Sequence, residues 1–268
     1  MLSEDITVRN PKLAWREAPA RAWFGASFVL THALNAFSTT FPAGERFFMD
    51  SVRRYLDRIQ DPRLRARVKG FLGQEEMHSR EHARFNELLA AQGYPVAAAE
   101  RLVERVLGLV RRRCSARTQL AATCALEHFT TILSTAMLAS PEVHAAMSGE
   151  QARLWTWHWV EELEHKEVAF EVFAATGGKY YGRALVMAAT TLVLWAVVLA
   201  ILARYLAHDR RLFSPREWGR GLAWAFLRPG ILRRALPSYL AWYRPGYHPS
   251  HNPDTALLAE WRARLRER

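Results

Sequence analysis

Within WTWHWVEELEHK (155–166), His158, Glu162 and His165 can each offer a metal ion a lone pair. A helix turns about 100° per residue, so offsets of four and seven confine the three to an arc of about 60°. QEEMHSREHARFN (74–86) places Glu75, His78 and His82 at offsets of three and seven, with the order of residue types reversed. Glu45 lies near an apolar stripe. Glu127 interrupts an otherwise apolar stretch, where a carboxylate is costly to bury unless it is paired or bound to metal. A solvated charged face is the common explanation of any one such cluster. One Glu, a Glu-x-x-His, one Glu and a second Glu-x-x-His, in that order on four helices, is instead the ligand pattern of a dinuclear four-helix bundle.

The elements that must position these groups read as helices throughout. Residues 21–38 are apolar enough for a buried helix, in which His32 is a hydrogen-bonded core histidine. Pro42 is expected to open a new helix carrying Glu45, with Phe47, Phe48, Val52, Tyr55, Leu56 and Ile59 at helical spacing. Asp61-Pro62 is a cap and a restart, and the helix it begins runs to about Gln92. On it, Glu76, Arg80, Glu81 and Arg84 point largely away from the ligands and read as a solvated or supporting face. A basic helix over 98–113 leads to the helix of Glu127, where His128 points about 100° aside and reads as structural. The fourth helix is expected from about Gly149 to Ala175, closed by Gly177-Gly178. The first twenty residues, with Pro11 and Pro19, read as an irregular arm.

Residues 184–203 follow as twenty residues without a charge, about 30 Å as a helix and long enough to cross a bilayer. The formal charge of +11 is uneven. Residues 1–183 hold 24 Lys/Arg and 21 Asp/Glu, a net +3, whereas residues 204–268 hold 13 and 5, a net +8. A cationic tail rich in Trp, Tyr and Leu fits an anionic membrane surface better than nucleic acid. His248 and His251 flank Pro249 and read as loop residues. Cys114 and Cys124 form neither a disulfide framework nor a zinc pattern, and no secretory leader is expected. The organisation expected is a helix bundle over 21–178, an apolar helix over 180–208 and a basic amphipathic tail over 209–268. Association with an inner membrane, the bundle on its cytoplasmic side, follows from the apolar run and tail. A cytoplasmic protein with an apolar core helix is the alternative.

Carboxylates and imidazoles without thiolates favour iron or manganese, and admit zinc. Two metal ions are expected, iron first. Glu75 and Glu162 are placed to bridge, Glu45 and Glu127 to bind at the ends, with His78, His158 and His165 as nitrogen donors and His82 as an eighth ligand. The set resembles that of ferritin-like di-iron N-oxygenases of the p-aminobenzoate N-oxygenase type. Their His-x-x-x-Glu-x-x-His fourth helix is matched by His158, Glu162 and His165. FPAGERFF (41–48), QEEMHSREHARFN (74–86), ALEHFT (125–130), WHWVEELEHKEVAF (157–170) and YLAWYRPGYHP (239–249) are similar to a bacterial family labelled "predicted metal-dependent hydrolase". These resemblances imply an all-α, ferritin-like metalloenzyme. The reaction expected first is oxygen-dependent oxidation of a small organic or lipid-like substrate, served by an electron donor. Hydrolysis by a metal-activated water is the alternative, and metal storage or a structural site a third reading.

Overall fold

Apolar residues recurring at helical spacing produce helices along the whole chain in the computed structural model, which describes residues 6–15 and 18–266. Among those residues there is no strand. The arm expected over the first twenty residues is irregular where it is described; residues 1–5 and 16–17, like 267–268 of the tail, lie outside the described residues. The long α1 (Phe28–Arg53) packs along α2 (Pro62–Ala91), and α3 (Val96–Arg113) lies across α1. Next come α4 (Ala116–Leu138), the short α5 (Pro141–Ala145), α6 (Gly149–His165) and α7 (Val168–Ala175). Contacts run from α1 to α2, α2 to α6, α6 to α4 and α4 back to α1, the closed ring of a ferritin-like four-helix bundle.

Two expected boundaries move. Residues 21–26 form turns, and α1 starts only at Phe28, where Ser27 is the N-cap. The carboxylate of Glu217 accepts hydrogen bonds from Ser27 Oγ (2.8 Å), Phe28 N (2.7 Å) and Val29 N (3.2 Å). An anion on the free N–H groups of the first turn fixes that start from a distance of 190 residues along the chain. Pro42 does not open a helix but lies inside α1. A proline cannot donate to the carbonyl four residues back, here that of Ser38. That carbonyl accepts instead from Asn86 Nδ2 of α2 at 3.1 Å, so the helix continues through the proline.

The fourth helix is interrupted too. It stops at His165, Lys166 and Glu167 form a turn, and α7 resumes at Val168. Neither Gly nor Pro marks the break. Its residues are held by partners distant in sequence: Lys166 by Asp254, and Glu167 by Arg67 at 3.3 Å.

The apolar run forms most of α8 (Tyr180–His208), the one helix among the described residues long and apolar enough to cross a membrane. One face packs on α1 and α4 through Met187, Val198, Ile201, Leu202, Tyr205 and Leu206, while Leu185, Leu192, Val193 and Leu199 are exposed. The tail then turns back. α9 (Pro215–Leu222) meets α1, a π-helical turn (Ala223–Leu227) follows, α10 (Ile231–Ala241) packs on α4 and α11 (Thr255–Arg266) on α6. Arg183 at the foot of α8 ties the tail down, its guanidinium 5.0 Å from the ring of Trp242 and 5.5 Å from that of Tyr247.

Candidate metal centre

All eight predicted side chains are at most 1% exposed, and they come together in the bundle interior. Three sets of ligand atoms lie within 4.8 Å of one another: Glu45, His78 and His158; Glu75, His78 and Glu162; Glu75, Glu127 and His165. Glu75 and Glu162 connect the two ends. The two oxygens of Glu162 face opposite ways, Oε1 lying 3.1 Å from His158 Nε2 and Oε2 3.5 Å from His165 Nε2. His165 Nε2 is also 3.1 Å from Glu75 Oε1 and 3.3 Å from Glu127 Oε2. One end therefore holds Glu45, His78 and His158, the other Glu127 and His165. Glu75 and Glu162 lie between the two ends. The helices achieve this because each ligand pair is spaced by three or four residues on one face.

The donor atoms are free for a cation. Among the described residues, both oxygens of Glu45, Glu75 and Glu127, together with Glu162 Oε2, His78 Nδ1 and His165 Nε2, are buried without a hydrogen-bond partner. Buried polar atoms are ordinarily paired, so nine orphans at one point are what a bound group must satisfy. Hard oxygens and imidazole nitrogens fit divalent metal ions.

The other nitrogen of each histidine is occupied, which selects the tautomer. His165 Nδ1–H donates to Gln74 Oε1 at 3.0 Å, leaving Nε2 as the donor towards metal. His78 Nε2–H donates to Glu161 Oε2 at 3.1 Å, leaving Nδ1. His158 is held by a longer relay. Ser38 Oγ donates to Asn86 Oδ1 at 2.8 Å and so accepts from His82 Nδ1–H at 2.9 Å. His82 Nε2 then accepts from His158 Nδ1–H at 3.0 Å, and His158 Nε2 keeps its lone pair. His82 thus stands behind His158, and none of the three metal-capable sets includes it.

Several groups absent from the sequence expectation complete the centre. Glu164 accepts two hydrogen bonds from Arg9, both at 2.7 Å, one from Arg262 Nε at 2.7 Å and one from Gln74 Nε2 at 2.8 Å. Arg9 also reaches Glu161 at 3.0 Å. The irregular arm and the last helix of the tail therefore meet at a carboxylate one hydrogen-bonded residue from His165. The arm lies flat on α2 because Gly70 and Gly73 have no side chain. A Cβ at Gly70 would come within 2.6 Å of Ile6 Cβ and 2.9 Å of the Ile6 carbonyl oxygen. Of the face expected to be solvated or supporting, Glu76, Arg80 and Arg84 are exposed, and Glu81 is buried and paired with Arg80 and Arg84. The signal available in sequence was the acidic density of EELEH in a Trp-rich stretch, where three buried carboxylates cannot all be ligands. His32 and His128 are structural as expected, bonded to Asp209 at 2.8 Å and to the Ser238 carbonyl at 3.1 Å. His248 caps a single 3₁₀ turn over Pro249–His251.

Burial and mutual repulsion set the charges. Burial, then the neighbouring carboxylates, pushes Glu45 and Glu75 well above the usual carboxylate range, and burial raises Glu127 to about 7. Glu162 goes the other way: burial opposes ionisation, but His165 and His158 pull it well below the ordinary value. His165 is raised well above its ordinary value because Glu127, Glu162 and Glu75 outweigh its burial. Burial and then His158 depress His78 and His82. Glu161 is raised by burial to about 8 although Arg9 is adjacent. Without cations the centre must hold protons, so metal and proton compete for the same carboxylates.

Around this polar knot the walls are aromatic. Phe41 stacks on His158 with centroids 4.6 Å apart, Trp157 meets His78 edge-on at 4.7 Å and Phe71 meets His165 at 5.0 Å. Beyond His158 lies an apolar cavity of about 390 Å³, lined by Phe41, Trp155 and Trp159 among others. No curated protein and no solved structure matches the chain. Residues 7–252 match the family described as predicted metal-dependent hydrolase, whose metal dependence the buried histidine–glutamate cluster supports. With the match covering all seven clustered ligands, the chain belongs to the predicted metal-dependent hydrolase family.

Proposed function

We propose that the protein is a dinuclear metalloenzyme that uses oxygen to oxidise a substrate held in the apolar cavity beside His158. Glu45, His78 and His158 would hold one ion, Glu127 and His165 the other, and Glu75 and Glu162 both. The metals, when bound, would supply the redox chemistry and an open position for oxygen. The chain's part is to present neutral nitrogen donors of set tautomer, to neutralise charge with four carboxylates and to exclude bulk water. The observation that carries this reading is the cavity at His158. Apart from His158, its non-aromatic polar side chains are Thr130 and Ser134. A lining this apolar suits a hydrocarbon substrate and offers few hydrogen bonds to the polar group that a hydrolase must hold.

Hydrolysis by a metal-bound water is the second reading, and the family description favours it. The two separate cleanly. Protein loaded anaerobically with ferrous iron should change its optical spectrum on mixing with oxygen, and the zinc form should be inert to it. Turnover of esters or phosphates by the zinc form, with a ferrous form that ignores oxygen, would establish the hydrolase instead.

A further inference from the structure

The cavity at His158 runs outward between α1, α4, α8 and the π-helical turn to Leu199, Leu222 and Phe226. A second cavity of about 220 Å³ shares Phe37, Phe41 and Thr130 with it and reaches Gly44, beside Glu45. At about 390 Å³ the larger one falls in the range of ligand pockets, about 300–1,000 Å³. A charged group passing down it would lose its water for few hydrogen bonds, whereas a hydrocarbon chain would gain by leaving water.

The mouth is bordered by exposed hydrocarbon. Leu199 and Phe226 are each 50% exposed and Leu222 56%, and the uncharged outer face of α8 continues through Leu192 and Leu185, at 75% and 72%. Leu227, Leu236 and Leu240 add to it from the π-helical turn and α10. Apolar surface of this extent calls for an occupant. Cations stand at its edges: Arg204, Arg228 and Arg233 are exposed, and Arg233 is held at the mouth by hydrogen bonds to the carbonyls of Phe226 (3.1 Å) and Leu227 (3.2 Å). Residues 204–268 carry 13 cations against 5 anions, a net +8. An apolar face with an arginine border is complementary to one occupant above others, an anionic lipid bilayer, whose acyl layer takes the leucines and whose head groups take the arginines.

We propose that this face seats in an anionic bilayer and that the cavity draws from it the alkyl chain of a single-chain anionic amphiphile. The chain enters tail first. The head group stays with the arginines at the mouth, so chain carbons and not the head group arrive at His158. This names the substrate class of the proposed metal centre and rests on that reading for what happens to the chain, though not for whether it binds. A tail-first chain brings no ester or phosphate to the metals, which also ties the orientation to oxidation.

The test uses the full-length protein, phosphatidylglycerol vesicles and stearate carrying a nitroxide near its methyl end. The protein should sediment with these vesicles in a salt-sensitive way, bind phosphatidylcholine vesicles far less, and immobilise the nitroxide. Leu192→Glu, on the outer face, should weaken vesicle binding about tenfold. Ala33→Trp, which fills the cavity, should weaken nitroxide immobilisation about tenfold and leave vesicle binding unchanged. Circular dichroism checks that it folds, and Ala225→Leu provides a milder filling if it does not. Vesicle binding unaffected by Leu192→Glu, or immobilisation unaffected by filling the cavity, would overturn the proposal. So would a parent protein that sediments with neither vesicle, which would assign the face to another partner. Neither readout needs metal, so a chain that binds the probe but no metal would fail the centre and leave this inference standing.

Discussion

At one end of the cluster His158 is held by neutral groups, His82, Ser38 and Asn86, passing hydrogen bonds in one direction. At the other end His165 is held through Gln74 by Glu164, which Arg9 and Arg262 clamp from opposite termini of the chain. The first end borders the apolar cavity at His158, and the second is sealed under ion pairs, which reach the first end only behind His78, through Glu161. Ion pairs hold a ligand rigidly but need partial solvation or several partners to offset their desolvation. A neutral relay can stand against a dry cavity without that cost. In the proposed function this contrast would put substrate access at the His158 end and mechanical support at the His165 end.

Removing what the two ends share should have the largest effect. Glu162→Ala deletes both oxygens that connect them, and elemental analysis after reconstitution should fall from about two metals per chain to fewer than about one. Retention of both metals would mean that Glu162 does not bridge. Next comes the charged end alone. Arg9→Ala leaves Glu161 and Glu164 buried beside each other with less positive charge, and metal affinity should drop about 10–100-fold. The loss should be larger for the ion at the His165 end, where Glu164 takes two of Arg9's hydrogen bonds. It should be smaller at the other end, which Arg9 reaches through Glu161 and His78; competition titration with a chelator reads both. Gly70→Ala should push in the same direction more weakly, because the added Cβ displaces the arm that carries Arg9. Equal weakening of both ions by Arg9→Ala would erase the distinction between the ends.

At the neutral end, His82→Leu removes the acceptor of His158 Nδ1–H and frees that ring to change tautomer. An effect of about tenfold on the affinity of one ion is expected, with the optical spectrum of cobalt-loaded protein altered and the overall fold retained. The smallest effect lies outside both ends. Asp209 binds Tyr94, His32 and Arg21, and these bonds outweigh its burial and lower its pKa; burial lowers that of His32. A lowered carboxylate contributes stability above its unfolded value and loses it as pH falls through the folded one. A histidine kept neutral loses stability as pH falls below its ordinary value, because the unfolded chain then takes the proton. Melting temperature should therefore decline on acidification. The gap between the parent and Asp209→Asn should close at low pH, and a constant gap would show that Asp209 acts by packing alone.

What could be read before folding was what repeats along a helix. Glu75 with His78, and His158 with Glu162 and His165, were legible because their spacing places them on one side of any helix, whatever the helix packs against. The capping Asp61 and the length of α8 were legible for the same reason, each being a property of neighbouring residues. Pro42 misled because its local effect was cancelled from another helix, by Asn86. Glu161 and Glu164 were not legible as buried, since a carboxylate's burial depends on which cation arrives. For Glu161 and Glu164 that cation comes from Arg9, about 150 residues earlier in the chain.

The sequence by itself determined that the chain is helical, the order of donors along it and the uncharged run that became α8, all consequences of the helical repeat and of side-chain chemistry. Only the tertiary structure decided that the two oxygens of Glu162 face opposite ways, that His82 stands behind His158 and outside the metal-capable sets, and that the arm and tail close over the centre. It also decided that α8 buries one face and leaves the other bare. Those outcomes depend on which helix faces meet, and that is settled by packing among residues far apart in the chain, where no local repeat carries information.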